Sequence, residues 1–396
     1  MRVAYVCVDA GISLFGQKGA AIHIQEIIRG LLKRGISVEV FCSRRESNAP
    51  PELAGVPIHL VSQADNALVK AIKQQGRFDL LYERYSLWSF AGLEYAREQN
   101  IPGLLEVNAP LIEEEARYRV LQNRKEAEEV AKKAFSLASA VIAVSDEVAD
   151  YVKGFLEPAQ RQKVYVVPNG VDPERFAKQR LLRRPAFGGA PRNDTDAEVR
   201  SDKMFTPLEI PFLTGFIVGF VGSLKPWHGV ANLIEAFRIL YKKAPESGLL
   251  IVGEGPERKD LAKRVDEAGI REAAHFSGMV SFERVPEYLA SMDVGVAPYP
   301  ALEQFYFSPL KIFEYMAAGL PVVTSDIGQI KKIIHNKQNG LLVPAGNSYE
   351  LAGALERLRC DASLRKSLGE SGRKTVIEKY TWDKVIERIL EIASLR

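Results

Sequence analysis

The sequence predicts an α/β protein made of two consecutive doubly wound parallel sheets. Three observations predict it. Strand-like and helix-like periodicities alternate along the chain, as they do where parallel strands are joined by helices that cover both sheet faces. The alternation pauses after about residue 170 and restarts at residue 216. The length, 396 residues, fits two domains or three at roughly 150 residues each.

In the first half the strands are expected at residues 3–8, 38–42, 80–82, 103–107, 140–144 and 164–167. The first of these, Val-Ala-Tyr-Val-Cys-Val, is an unbroken apolar run, as a strand buried on both faces requires. Residues 21–34 carry helical periodicity and stop at Gly35. The second half opens with a strand at 216–221 and a helix at 229–243. It continues with strand 248–252, helix 257–268, strand 274–276, a short helix at 286–291 and strand 293–297. Helix 309–318, strand 321–324 and helix 348–358 complete it. The two units meet near residues 170–214, and residues 178–214 read as a long mobile insertion rich in Arg, Gly, Pro and Asp.

Composition excludes several classes. With 46% hydrophobic and 26% charged residues, the chain is neither disordered, collagen-like nor a small disulfide scaffold. Net charge is only +3, too small for a nucleic-acid coat. Residues 178–204 hold seven basic and four acidic side chains, so the whole excess sits in the insertion, which reads first as a solvated loop and second as a contact for an anionic acceptor or a membrane face. Cys7, Cys42 and Cys360 lack metal-ligand spacing and read as reduced core thiols. Because Met1-Arg2 runs straight into the first strand, no leader is expected, and no apolar run reaches the roughly 20 residues that span a bilayer. The expectation is a cytoplasmic protein that at most contacts the inner face of a membrane peripherally.

Chemistry belongs at the carboxyl ends of the strands. The segment from Phe305 to Pro321 is punctuated as a helix: Ser308 suits the N-cap, Pro309 the first position, and Gly319 and Pro321 the stop. Lys311 falls in the first turn, where the helix dipole disfavours a cation, so it makes sense beside a bound anion. Glu314, three residues on, can accept from two vicinal hydroxyls of a ribose. A second candidate is the loop Gly222 to Gly229, where glycines admit close backbone approach and Lys225 and His228 supply cationic or donor groups. The third is Phe15 to His23, after the first strand. The strict dinucleotide Gly-x-Gly-x-x-Gly is absent, which demotes a dehydrogenase, and no Walker, zinc or nucleophile-elbow motif occurs.

These residues resemble the retaining GT-B glycosyltransferases of family 4 over nearly the whole chain. The anchors are Lys18 to His23, Val166 to Asp172, Gly222 to Gly229, Ile251 to Pro256 and Ser308 to Pro321. The resemblance implies two Rossmann-like domains facing a cleft. Residues 1–170 with 380–396 would bind the acceptor, and 171–379 a nucleotide-diphosphate sugar, UDP- or GDP-linked. The last helix, about residues 382–394, would cross back to the first domain. Donor contacts are implied for Gly19, Ser223, Lys225, Glu254, Met279, Val280, Tyr306, Phe307, Ser308, Leu310, Lys311 and Glu314. His23, Arg84 and Asn108 are the acceptor-side expectations, and His228, Lys311 and Asn108 the catalytic ones.

Departures from the family pattern occur. Tyr306 stands where a glutamate is usual, Ser223 and His228 replace a basic pair, and Glu106-Val107-Asn108 occupies the place of an acceptor-side histidine. The implied reaction is retaining transfer of a hexosyl group to a hydroxyl on a glycan, a lipid-linked glycan or a small sugar phosphate. The diphosphate is neutralised by helix amides and cations, with no metal and no cofactor. A sugar-nucleotide epimerase and a catalytically silent nucleotide-binding protein are the alternatives.

Overall fold

The computed structural model describes residues 1–45, 48–62, 65–118, 120–177 and 215–395. The basic insertion at 178–214 and its anion or membrane role lie outside the described residues. The chain divides into two compact units. One comprises residues 1–170, 304–308 and 382–396, the other 171–303 and 309–381.

In the first unit the elements run β1 (Arg2–Cys7), α1 (Gly19–Lys33), β2 (Ser37–Cys42), β3 (Ile58–Leu60), α2 (Asp65–Gln74), β4 (Leu80–Arg84), α3 (Ala91–Glu98) and β5 (Gly103–Val107). Then come α4 (Leu111–Tyr118), α5 (Arg124–Leu137), β6 (Ala140–Ala143), α6 (Asp146–Phe155) and β7 (Val164–Val166). All strand pairs are parallel in the order β3-β2-β1-β4-β5-β6-β7, so the winding reverses between β1 and β4. Apolar strands follow from burial on both faces: Phe41, Leu81, Leu105 and Val141 are fully buried with Phe78 and Phe135 over them. Charges interrupt the pattern at Arg2, Glu39, Glu83, Arg84 and Glu106, and of these Arg84 and Glu106 are register partners near the strand ends.

In the second unit α7 (Pro173–Ala177) precedes β8 (Ile217–Val221), α8 (Val230–Tyr241), β9 (Gly248–Val252), α9 (Arg258–Glu267), β10 (Ala274–Gly278), α10 (Val285–Ala290) and β11 (Val294–Ala297). It ends with α11 (Leu310–Ala317), β12 (Val322–Ser325), α12 (Ile330–Ile333), β13 (Leu341–Val343), α13 (Ser348–Cys360) and α14 (Ala362–Lys379). The parallel order is β10-β9-β8-β11-β12-β13, reversing between β8 and β11. Its core gathers Phe220, Phe237, Leu249, Ile251, Val296 and Leu355.

The last helix, α15 (Trp382–Ser394), packs on α1 within the first unit. Gly30 is the contact point: a Cβ there would overlap Ile386. Lys33 and Arg34 close the same seam on Asp383. Among the cysteines, Cys7 and Cys42 are buried register partners, but Cys360 is exposed at the end of α13, which corrects the expectation of three core thiols.

Candidate functional site

Both units reverse their strand order once, and the loops that diverge there are where open α/β sheets hold ligands. In the second unit the loops after β8 and β11 carry the cationic groups. Lys311 enters on the first turn of α11 and is only 8% exposed. Its ammonium lies 4.3 Å from the Phe220 ring centre and 5.5 Å from that of Tyr299, with no hydrogen-bond partner among the described residues. Burial lowers its pKa to about 7, against the opposing charge of Glu314. A buried cation offset only in part, here by Glu314, is costly, and a further anion beside it removes much of that cost. The N-terminus of α11 adds to the demand, since it has neither a side-chain cap nor an acidic residue in its first turn.

Backbone shape makes room for that anion. Gly222 has φ +144°, and a Cβ there would sit 2.8 Å from Lys311 Nζ. Gly229, φ +68°, opens α8, and a Cβ there would overlap the Pro298 carbonyl oxygen. His228 lies between them among the rings of Phe220, Trp227 and Tyr299. Its Nδ1 is 2.5 Å from the Ser223 carbonyl oxygen, so Nδ1 carries the hydrogen and donates it there. Burial first, then the Lys311 and Lys225 charges, push its pKa down to about 3 despite that bond. This corrects the expectation of a cationic, donating His228: the ring is neutral and Nε2 is left as an acceptor. Lys225 stacks its ammonium on Trp227 at 4.6 Å.

The remaining donor-side expectations separate into two groups. Glu254 is exposed just past β9, where its carboxylate accepts from the Gly255 N–H, and its backbone carbonyl accepts from Leu224. Met279, 70% exposed, and Val280 follow β10. Leu310 and the buried Glu314 ride on α11 with Lys311. Tyr306, Phe307 and Ser308, by contrast, cluster with the first unit. The Tyr306 hydroxyl donates to Glu114 at 3.1 Å, and its carbonyl accepts from Ser145 at 3.0 Å. Phe307 packs on that unit's core. The Tyr306 and Phe307 side chains are thus corrected from donor contacts to core groups. Ser308 does not cap α11 with its side chain. Its hydroxyl accepts from the Asn169 N–H at 3.0 Å, and the N-cap position falls on Pro309.

In the first unit Gly19 is exposed as the first residue of α1, a helix that also lacks a side-chain cap and first-turn acid. One turn on, His23 points inward. It is 4% exposed, with Nδ1 2.8 Å from Asn169 Oδ1 and Nε2 ion-paired to Glu106 Oε1. Both ring nitrogens are therefore engaged, which corrects its acceptor-contact expectation. Arg84, also buried, lies with Nη1 3.9 Å from the other Glu106 oxygen. Asn108, half-buried after β5, donates to Glu106 Oε1 at 3.2 Å, while its Oδ1 has no partner among the described residues. Glu106 ties the cluster together. Burial opposes its ionisation, yet His23, Arg84 and Asn108 hold its carboxyl below the usual range.

Sequence reasoning gave no role to Phe220, Tyr299, Tyr315, Glu106 or Asn169. For two of them a signal existed: a carboxylate inside the apolar strand Gly-Leu-Leu-Glu-Val, and a tyrosine inside an apolar helix. Tyr315 bridges the reversal point, its hydroxyl accepting from the Val221 N–H at 2.7 Å and facing the Val296 carbonyl at 3.4 Å. Among the described residues no group of three or more His, Cys, Asp and Glu side chains is placed to hold a metal, and no helix is long and apolar enough to cross a membrane.

Residues 17–175 match the family described as Glycosyltransferase Family 4, and residues 215–361 that described as Glycosyl transferases group 1. The chain is 25% identical to D-inositol 3-phosphate glycosyltransferase of Jonesia denitrificans, covering 99% of this chain and 95% of the relative. It is 26% identical to alpha-maltose-1-phosphate synthase of Mycolicibacterium smegmatis, over 99% and 98%. Among solved structures, Anabaena Alr3699/HepE in complex with UDP superposes with a TM-score of 0.76 at 20% identity, over the full length of both chains.

Proposed function

The chain belongs to the group 1 GT-B glycosyltransferases, and from that footing we propose that it moves a hexosyl group from a UDP- or GDP-linked sugar to a hydroxyl acceptor with retention and without a metal. One observation carries the donor half: the buried ammonium of Lys311, without a hydrogen-bond partner among the described residues, at the uncapped start of α11. A diphosphate supplies the anion that this site lacks, and Gly222 leaves room for it. Glu314, one turn deeper, accepts from the ribose hydroxyls. HepE was solved with UDP, which agrees with this reading.

The chemistry follows from where charge builds. As the anomeric C–O bond to the diphosphate breaks, its electron pair moves onto the leaving phosphate. The α11 amides and Lys311 stabilise that charge without rearranging. The acceptor oxygen attacks the same face, and its proton passes to the leaving phosphate oxygen, so no protein carboxylate acts as nucleophile. Neutral His228 accepts a sugar hydroxyl at Nε2. On the first unit, Asn108 Oδ1 accepts from the incoming hydroxyl. The reaction runs in the cytoplasm on a glycan, a lipid-linked glycan or a sugar phosphate.

The test is calorimetric titration with UDP and GDP, chosen first by thermal shift. Lys311→Ala lowers nucleotide affinity by about 30-fold or more, the worth of roughly 2 kcal/mol in a charge-assisted contact. Glu314→Ala removes the preference for the ribo- over the 2′-deoxynucleotide. Unchanged affinity in both variants, with folding retained, refutes the donor assignment. A product of inverted anomeric configuration, or turnover abolished by a chelator, refutes retention or metal independence.

A further inference from the structure

The chain leaves or re-enters the first unit at four points, marked by Gly170, Gln304, Ser308 and Trp382. Three of the four converge on one imidazole. His23 Nδ1 meets the side chain of Asn169, which directly precedes the exit at Gly170. Asn169 in turn grips Ser308 twice, its Nδ2 donating to the Ser308 carbonyl at 2.6 Å and its backbone N–H to the hydroxyl at 3.0 Å. Trp382 lies edge-on to the His23 ring, centres 5.2 Å apart. Every member is at least nine-tenths buried.

Hydrogen-bond roles fix the protons. Because Asn169 Nδ2 donates to a carbonyl, Oδ1 is the acceptor turned to His23, and Nδ1 must carry a hydrogen. On the other side Nε2 faces Glu106, a carboxylate that already accepts from Asn108 and lies beside the Arg84 guanidinium. With Asn108 donating to it and a guanidinium beside it, Glu106 turns an acceptor to the ring, so Nε2 carries a hydrogen too. The neighbouring phenols of Tyr5 and Tyr82 are pushed well above their ordinary range, mainly by burial, and stay neutral.

We propose that His23 is a positioning residue: a buried imidazolium that donates to Asn169 from Nδ1 and is ion-paired with Glu106 through Nε2, fastening the segments through which the chain passes out of the first unit. The consequence for transfer is covalent. Ser308 is followed by Pro309 and then by the helix bearing Lys311 and Glu314, so the anchor sets the point from which that helix starts. The inference needs only the first unit's geometry and stands whether or not the donor assignment does.

Two measurements on the full chain test it. In long-range ¹H–¹⁵N spectra of the uniformly labelled protein at pH 7.5, one of the five histidines is expected to show two protonated ring nitrogens. That signal disappears in His23→Gln. Five histidines that each show one unprotonated nitrogen overturn the proposal, and this reading needs no variant to fold. In hydrogen-exchange mass spectrometry, His23→Gln, whose amide donates to one partner only, is expected to speed exchange roughly tenfold in peptides spanning 167–171 and 305–309, with the strand interiors unchanged. Unchanged exchange in those peptides, or an equal rise throughout the unit, overturns it.

Discussion

On the proposed reading, Lys311 carries a stability penalty and a binding function on one side chain. A lysine held near 7 in the native state, against an ordinary value of 10.5, binds fewer protons folded than unfolded over that interval. Its contribution to stability therefore falls as pH drops from about 10.5 to about 7 and is level below that. At pH 7, Lys311→Met is expected to raise the melting temperature of the empty protein by about 5 °C by scanning calorimetry while nucleotide binding is lost. A bound diphosphate favours the ammonium, so nucleotide affinity falls with rising pH above about 7, approaching tenfold per unit. Titrations in buffers of different ionisation enthalpy then show net proton uptake in that range. A lysine in a first helical turn is legible in sequence, because the dipole makes its placement anomalous. The neutrality of His228 was not, because it depends on burial among rings that include Phe220 and Tyr299 and on the Lys311 charge, against the pull of the Ser223 carbonyl. The capping role read for Ser308 failed for the same reason: its hydroxyl is claimed by Asn169, 139 residues away.

Elements that the sequence announced are those with both a periodicity and a punctuated end. Strands β5 and β9 occupy the residues their patterns predicted, whereas α15 occupies those that the family resemblance implied. The strands β3 and β13, three residues each, are too short to show a period. Helix α14 escaped although it is 18 residues long, because its buried positions include Gly369 and Gly372 among Lys, Arg, Glu and Ser and present no apolar stripe. Two substitutions probe the elements at the second unit's reversal point. Gly229→Ala must adopt φ near +68° and overlap the Pro298 carbonyl, so denaturant unfolding is expected to show a loss of about 2–4 kcal/mol. Tyr315→Phe leaves the buried Val221 N–H without its acceptor and costs about 1–3 kcal/mol in the same measurement.

For the molecule as a whole, two parallel sheets were legible because buried strands must be apolar and their connections helical. What escaped was that residues 304–308 cluster with the first unit, since nothing local to a five-residue stretch records its distant partners. The seam of α15 on α1 offers a test at this scale. Gly30→Val drives a branched side chain into Ile386, and calorimetry is expected to show the first unit's transition lowered with the second unchanged. The seam also bears on biogenesis. Helix α15 completes a unit whose other strands and helices lie before residue 171, so during translation the early-made half cannot finish its core until the ribosome has passed Ser394. The later-made unit, closed by α14, is then free to mature first, and the nascent chain carries an exposed strip of α1 awaiting its last partner.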